Sequence, residues 1–159
     1  MSQLNIRAAR EDDLDAIMQI EESSFGSTAW PVESMHSELS PGFDRHYFVA
    51  ELGDRMVGYA GCSAIPNAHA DVMTIAVAQE YRGKKIGDAL MQKLLEVAKA
   101  NSCTEMFLEV RADNEVAQNL YRKLGFVQID LRRGYYQPEG IDAVIMKLKL
   151  NEPQSGGVS

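Results

Sequence analysis

The feature that most constrains the fold of this chain is a strand that leads through a short basic turn directly into an amphipathic helix. The strand is predicted over Ala70 to Val77, and the turn and helix start read QEYRGKKIGDAL. The helix carries apolar residues at helical spacing, namely Ile86, Leu90, Leu94 and Val97. Ligands favour places where strand ends meet helix N-termini, so this segment is the first candidate for a ligand site.

Apolar periodicity along the rest of the chain predicts a mixed α/β domain with the element order βααβββαβαββ. The order implies a central sheet of about seven strands with flanking helices. The other predicted strands are Leu4–Ala8, His46–Leu52, Met56–Ile65, Glu105–Val110, Phe126–Leu131 and Ala143–Leu150. The other predicted helices start at Glu11–Asp13 with the stripe Leu14, Ile17, Met18 and Phe25, then at Pro31 through Leu39, and at Asn114 through Leu124.

Turn residues mark where these elements end. Gly53-Asp54-Arg55 predicts a hairpin, Ser40-Pro41-Gly42 ends the second helix, and Gly125 occupies a left-handed helix C-cap. We expect residues 1–150 to form a single domain. Residues 151–159, NEPQSGGVS, are expected to be a disordered tail.

Composition excludes several classes of protein. A hydrophobic content of 45% with 25% charged residues is typical of a soluble globular chain, and no apolar run approaches the roughly 20 residues of a membrane span. The N-terminus lacks the basic and apolar pattern of a secretory signal, so a cytoplasmic protein is expected. A net charge of -7 argues against direct binding of nucleic acid and favours a basic partner.

The few cysteine and histidine residues suggest no metal site. Cys62 and Cys103 are 41 positions apart and have no partner at ligand spacing, so we expect buried apolar residues and neither a disulfide nor a metal. His36, His46 and His69 are scattered among unrelated segments and are assigned no chemistry.

The basic turn has the composition of an anion site. Residues 82–87, Arg-Gly-Lys-Lys-Ile-Gly, lie at a helix start, where unpaired backbone N–H groups bind phosphate oxygens. The alternative is a solvated basic helix start without a ligand.

Three stretches in fixed order resemble the GNAT superfamily of acetyltransferases. They are the strand TIAV with the turn that follows it, the strand end LEVRADN, and the helix segment NLYRKLGF. The resemblance implies the GNAT fold and acetyl-CoA as the co-substrate, without a metal. It places the pantetheine arm against Thr74, Ile75, Ala76 and Val77 and the pyrophosphate against Arg82, Gly83, Lys84, Lys85, Ile86, Gly87 and Asp88. The sequence departs from the family at Lys85, where the first glycine of the turn belongs; a lysine supplies charge there only if its φ is not positive.

The same resemblance assigns proton transfer to two residues. Glu109 is the implied general base, acting through water, and alternation places it beside Phe107, an apolar setting that suits a base working near neutral pH. The alternative for Glu109 is a salt bridge to Arg111 or a lysine. Tyr121 is the implied acid that protonates the CoA thiolate, and its alternative is a core tyrosine.

Two smaller roles follow from the same motifs. Asn114 caps its helix, contacts the pantetheine, or does both. The N–H of Val77 or its neighbour polarises the acetyl carbonyl. Direct attack by the amine, without an acyl-enzyme, agrees with the lack of a G-x-S-x-G sequence or a cysteine with a histidine partner.

Two further stretches resemble the RimI type within the superfamily: IEESSFGSTAWPVESM and DLRRGYYQPEGIDAVIMKLKL. The resemblance implies that Trp30, Tyr135 and Tyr136 line a groove for a protein N-terminus, although these residues equally suit a cover for the core. It further implies N-alpha-acetylation of the N-terminal alanine of small-subunit ribosomal protein eighteen, a basic partner for an acidic enzyme.

Two alternatives to this function remain open. One is a GNAT enzyme that acetylates lysine side chains or a small amine. The other, of a different class, is a non-catalytic acetyl-CoA-binding or partner-binding module. The sequence does not predict the oligomeric state.

Overall fold

The computed structural model describes residues 3–40, 42 and 44–150. The predicted tail at 151–159 and position 41 of the predicted turn lie outside the described residues. Within these residues, four α-helices and seven strands follow in the predicted order, which confirms the α/β fold. The strands are β1 (Leu4–Ala8), β2 (Arg45–Leu52), β3 (Arg55–Ala64), β4 (His69–Val77), β5 (Glu105–Arg111), β6 (Val127–Tyr136) and β7 (Ile141–Lys149). The helices are α1 (Leu14–Phe25), α2 (Val32–Leu39), α3 (Ile86–Ala100) and α4 (Glu115–Lys123).

The strand order in the sheet is β1-β2-β3-β4-β5-β7-β6. β4 and β5 pair in parallel, whereas the β1–β2, β2–β3, β5–β7 and β6–β7 pairs are antiparallel. The chain divides into two compact units. The first unit comprises Met1–Ser63 with Met73–Leu94, and the second comprises Ala64–Val72 with Leu95–Ser159.

The first unit has a core made by α1, α2 and the strands β2 and β3. The predicted α1 stripe is confirmed at Ile17 and Met18, which are buried with Tyr47 and Tyr59. The β2–β3 hairpin closes through Gly53 and Asp54, and the positive φ of Gly53 suits the first position of a two-residue turn.

Glycine at position 58 allows close packing within the first unit. A Cβ built there lies 3.0 Å from the Ala76 carbonyl oxygen and 3.2 Å from a Leu90 methyl group. Any side chain at this position therefore pushes β3 away from β4 and α3. Gly58 thus lets β3 lie close to both β4 and α3.

The second unit is arranged around β5. Met106, Leu108 and Val110 alternate into its core, which leaves Phe107 and Glu109 on the other face. β5 pairs along its full length with β7, from Glu105 opposite Lys149 to Arg111 opposite Ala143.

β6 is longer than predicted. Periodicity ended this strand at Leu131, but pairing with β7 continues to Tyr136, opposite Ile141, with an irregularity after Arg132. The arginines and Gly134 interrupted the apolar alternation, and a hydrogen-bonded partner strand compensates for that weak local preference. The Tyr135-Tyr136 pair therefore lies on a strand end.

Asp13 makes a buried ion pair that the sequence analysis did not predict. Its carboxylate accepts two hydrogen bonds from Arg7, at 2.8 and 2.9 Å, and a third from the Arg10 amide at 2.7 Å. The hydrogen bond from Arg7 is the main reason that the pKa of Asp13 lies below its usual range. The pair joins β1 to the start of α1.

We predict that Asp13→Asn lowers the free energy of unfolding at pH 7 by about 2 kcal/mol, because it removes charged hydrogen bonds from a buried site. A lowered pKa stabilises the fold at pH values above the ordinary carboxyl pKa, and this stabilisation is lost as the pH falls through the lowered value. Urea unfolding should therefore show a difference between the two proteins that shrinks below about pH 4. Glu80→Gln is the control: it removes an exposed pair with Arg55 and should change the free energy by under about 0.5 kcal/mol. An equal effect of both substitutions would contradict the prediction.

Candidate active site

The turn between β4 and α3 passes twice through left-handed backbone, at Gly83 with φ 80° and at Lys85 with φ 65°. α3 begins at Ile86, and the Ala89 amide donates to the Lys85 carbonyl oxygen at 3.1 Å. The amides of residues 86–88 precede that bond, so helix geometry gives them no acceptor within the helix. Such amides, next to exposed cationic side chains, fit a pyrophosphate group.

The Arg82 side chain is bonded to its own unit. Its Nε–H donates to the Val77 carbonyl oxygen at 3.0 Å, and its terminal nitrogen lies 3.4 Å from the Ser24 hydroxyl. Arg82 thus connects the turn to the end of β4 and to α1. Its role as a phosphate ligand stays a prediction.

Lys85 has a positive φ, whereas a role for its charge was expected only if its φ was not positive. Its φ of 65° lies in the region where a Cβ is unfavourable and glycine is favoured. The backbone of this turn thus suits a glycine, although the residue is a lysine. The amide of Lys85 therefore replaces its ammonium group as our candidate for contact with the phosphate.

The predicted pantetheine strand is the C-terminal part of β4. Thr74 and Ala76 are buried, whereas Ile75 and Val77 on the opposite face are half-buried. The Thr74 hydroxyl lies 3.4 Å from the carboxylate of Glu21. The core interpretation and the ligand interpretation of this strand are compatible, because side chains can pack in the core of a strand whose main chain contacts a ligand.

Trp30 lies at the corner between α1 and α2. Its amide donates to Glu21 at 2.9 Å, and its half-buried side chain packs against the core of the first unit. A cleft of about 380 Å³ begins at Trp30 and Pro31 and continues along α2 past Ser34, Ser37 and Glu38. The predicted groove residue thus borders an open cleft.

In the second unit, Glu109 has surroundings different from those expected. The carboxylate is exposed and lies 3.5 Å from the Arg132 guanidinium, and the Tyr135 hydroxyl is hydrogen-bonded to it. The expectation of an apolar environment is wrong, because β6 supplies polar groups at this face of β5. The alternative partner also differs, since Arg111 pairs with Asp113 at 3.0 Å.

Tyr121 is held by the end of its helix. It is 5% exposed and contacts Phe126 with the ring centres 5.9 Å apart. The Phe126 amide donates to the Tyr121 carbonyl and the Gly125 amide to that of Arg122, which together form a Schellman motif with Gly125 at φ 105°. The predicted left-handed cap is confirmed, and it fixes Tyr121 by both backbone and ring contacts.

Burial, with a smaller contribution from Tyr136, raises the pKa of Tyr121 well above its usual range. The phenol therefore keeps its proton throughout the pH range in which enzymes work. Burial and the charge of Glu109 likewise raise the pKa of Tyr136 to about 12.

Tyr135 and Tyr136 lie together with the two candidate proton-transfer residues. Their rings meet edge to face at 5.1 Å, and cationic groups stack on them: Arg111 lies 5.5 Å from the Tyr136 ring and Arg132 lies 5.7 Å from the Tyr135 ring. Tyr135 is 46% exposed, so it offers a free aromatic surface. The second unit therefore unites four predicted site residues in one cluster.

Asn114 caps α4, which confirms one of its two predicted roles. Its side-chain oxygen accepts from the Ala117 amide at 3.1 Å. Contact with pantetheine remains a prediction for this residue.

Sequence reasoning missed Glu21 and Arg132. Glu21 follows Ile17 by four residues and Met18 by three, so the signal was a carboxylate in the middle of an apolar stripe. Arg132 gave no such signal, because its contact with Glu109 depends on the unpredicted extension of β6.

Among the described residues, no cluster of three or more metal-ligating side chains is arranged to hold an ion, and no helix is long and apolar enough to cross a membrane.

Comparison with known proteins gives consistent results. Residues 14–126 match the model of the acetyltransferase (GNAT) family. The chain is 36% identical to N-alpha-acetyltransferase RimI of Mycobacterium tuberculosis, over 94% of this chain and 95% of that one. The crystal structure of the ribosomal-protein-S18-alanine N-acetyltransferase from Escherichia coli superposes with a TM-score of 0.85 at 28% identity, covering 94% and 96% of the two chains. The fold is also that of Arabidopsis thaliana NAA60 in complex with acetyl-CoA, with a TM-score of 0.83, 18% identity and coverage of 94% and 100%.

We predict that Lys85→Gly stabilises the protein by about 0.5–1 kcal/mol, because glycine adopts the left-handed backbone without a Cβ penalty that exceeds its entropic cost. Lys84→Gly removes an equal charge from a residue outside the positive-φ set of the described chain, and it should not stabilise. Thermal unfolding of both variants measures the difference. Unchanged affinity of Lys85→Gly for coenzyme A, measured by calorimetry, would support the amide as the ligand; weaker binding would restore the ammonium group to that role.

Proposed function

We propose that this chain, which belongs to the acetyltransferase (GNAT) family, transfers the acetyl group of acetyl-CoA to the α-amine of a protein N-terminus. The proposed substrate is the N-terminal alanine of small-subunit ribosomal protein eighteen. The similarity to enzymes named for that activity supports it, since this chain covers almost the whole length of the relatives. Such a substrate implies an activity in the cytoplasm.

The observation that carries the proposal is the cluster of Glu109, Tyr121, Tyr135 and Tyr136 in the second unit. It combines an exposed carboxylate with a buried phenol that retains its proton. A reaction in which an amine replaces a thiolate needs one group that accepts a proton and another that donates one. The exposed Tyr135 ring provides a surface on which a peptide can lie.

The proposed reaction is direct attack of the neutral amine on the thioester. Glu109, through water, removes a proton from the substrate ammonium group, and the nitrogen then forms a bond to the acetyl carbon. The Val77 amide stabilises the negative charge that develops on the carbonyl oxygen. The carbon–sulfur bond breaks, and Tyr121 donates its proton to the leaving thiolate, which forms coenzyme A. The nitrogen, which became cationic on bonding to carbon, loses its second proton through water to the Tyr121 phenolate, which gives the amide and restores the phenol. The proton held by Glu109 passes to solvent.

The first unit supplies the proposed acetyl-CoA site. The main chain of Thr74–Val77 binds the pantetheine arm, and the amides of residues 85–88 bind the pyrophosphate. Arg82 and Lys84 add positive charge near the phosphates, since both are exposed. Asn114, on the second unit, is the further proposed contact with pantetheine.

The acidic character of the chain supports a basic peptide as the partner. The net charge is -7, so a positively charged N-terminal segment is attracted and an acidic one is repelled. We propose that Trp30, with its cleft, and the Tyr135-Tyr136 pair contact this peptide.

We predict that Glu109→Gln lowers kcat by about 10²-fold or more, because the amide cannot accept the proton of the amine. Tyr121→Phe should lower kcat by about tenfold or more, because the phenol no longer protonates the thiolate. Steady-state kinetics with calorimetric measurement of acetyl-CoA binding separates chemistry from affinity. Full turnover by a folded Glu109→Gln protein removes that residue from the mechanism, and an intact pH–rate profile in Tyr121→Phe removes the other.

The proposed function is tested with two basic peptides. One begins with a free alanine and lacks lysine, and the other has a blocked N-terminus and an internal lysine. We expect acetyl-CoA turnover only with the alanine peptide. Turnover with the lysine peptide alone would replace the substrate, and acetyl-CoA binding without turnover of any amine would indicate a binding module.

A further inference from the structure

The most unusual buried group outside the proton-transfer cluster is the carboxylate of Glu21. This residue is 1% exposed and lies on α1 with Ile17 and Ile20, which belong to the core of the first unit. Burial raises the pKa of Glu21, although hydrogen bonds from Trp30 and Thr74 act in the opposite direction. An apolar residue would fill this place at lower cost to the fold.

Three donors converge on this carboxylate. One oxygen accepts from the Trp30 amide at 2.9 Å. The other accepts from the buried hydroxyl of Tyr59 and lies 3.4 Å from that of Thr74. All of these residues belong to the first unit, so the network is complete within one compact body.

Two of the three donors belong to segments that the proposed function uses. Trp30 begins the cleft along α2, and Thr74 is the first residue of the proposed pantetheine strand. Thr74 lies within β4, whose main chain is already fixed by the sheet. Trp30 lies between a 3₁₀ turn at Gly26–Thr28 and the start of α2 at Val32, so its amide depends on a side chain for an acceptor.

We propose that Glu21 is a positioning residue for the amine substrate, which acts by fixing the Trp30 corner from inside the core. This inference rests on the proposed function for its substrate, and it extends that function to a residue that does not touch the peptide. The carboxylate holds the start of the α2 cleft in the one arrangement in which Trp30 borders it. Loss of this acceptor releases the corner and weakens peptide binding more than acetyl-CoA binding.

The test compares Glu21→Leu with Glu21→Gln. Leucine fills the space but leaves the Trp30 amide and the Tyr59 hydroxyl without an acceptor. Glutamine can turn its oxygen toward the Trp30 amide and its NH₂ group toward the two hydroxyls, which accept as well as donate. Glutamine should therefore preserve the corner that leucine releases.

Asp13→Asn is the matched control. Asp13 is a second buried carboxylate of the first unit, and its hydrogen bonds are with Arg7 and Arg10. Its substitution lowers stability without removing a bond to Trp30. An effect that reflects only lost stability would appear in this variant too.

The readouts are the KM for the alanine peptide, the KM for acetyl-CoA and the acrylamide quenching of fluorescence, all measured well below the lowest Tm of the set. Trp30 is the single tryptophan of the sequence, so emission excited at a wavelength that the six tyrosines do not absorb reports on this corner alone. We expect Glu21→Leu to raise the peptide KM about tenfold, the factor that corresponds to one lost hydrogen bond to a charged group, and to increase quenching. The acetyl-CoA KM of Glu21→Leu should change by less than its peptide KM. Glu21→Gln and Asp13→Asn should stay close to wild type in all three readouts.

The proposal is overturned if Glu21→Leu leaves the peptide KM and the quenching at wild-type values, or if Asp13→Asn changes them equally. Absence of wild-type turnover with the alanine peptide would instead refute the proposed function. Quenching still decides the role of Glu21 in that case: increased quenching in Glu21→Leu alone supports the fixed corner, and unchanged quenching overturns it.

Discussion

Backbone hydrogen bonding along the end of β4, the following turn and the first part of α3 constrains the rest of the first unit. All three segments lie within Met73–Leu94, which belongs to that unit. Gly58 lets β3 approach the Ala76 carbonyl and the Leu90 side chain of α3 closely. The left-handed backbone at Gly83 and Lys85 then exposes the first helix amides. The same geometry that packs the first unit thus shapes its proposed anion site.

The second unit contains a different kind of site, made from side chains. Alternation along β5 sends Leu108 into the core and Glu109 to the opposite face, where β6 supplies Arg132 and Tyr135. The Schellman motif after α4 places Tyr121 in the interior beside Phe126. One group is exposed and able to exchange protons with water, and the other is buried and retains its proton. The proposed proton acceptor and the proposed proton donor therefore differ in environment within one cluster.

Asp13 and Glu21 are buried carboxylates of the first unit, and the free-energy cost of their burial is offset in two different ways. Asp13 has a cation as its partner, which lowers its pKa and makes the pair a source of stability at neutral pH. Glu21 accepts hydrogen bonds only from neutral donors in its described contacts, and burial raises its pKa. A buried carboxylate with neutral partners stabilises the fold little, so we interpret Glu21 as a group that holds its hydrogen-bond donors in place.

Local patterns in the sequence determined the element order, the hairpin at Gly53, the cap of α4 and the membership of the family. Each of these features depends on residues that are close in the sequence or on motifs in a fixed order, so the sequence alone is enough to predict it. Only the tertiary structure decided the length of β6, the polar surroundings of Glu109, the backbone of Lys85 and the three donors around Glu21. Residues distant in sequence form these contacts. Tyr59 and Thr74 follow Glu21 by 38 and 53 positions, and nothing in the local periodicity of α1 indicates that their hydroxyls meet its carboxylate.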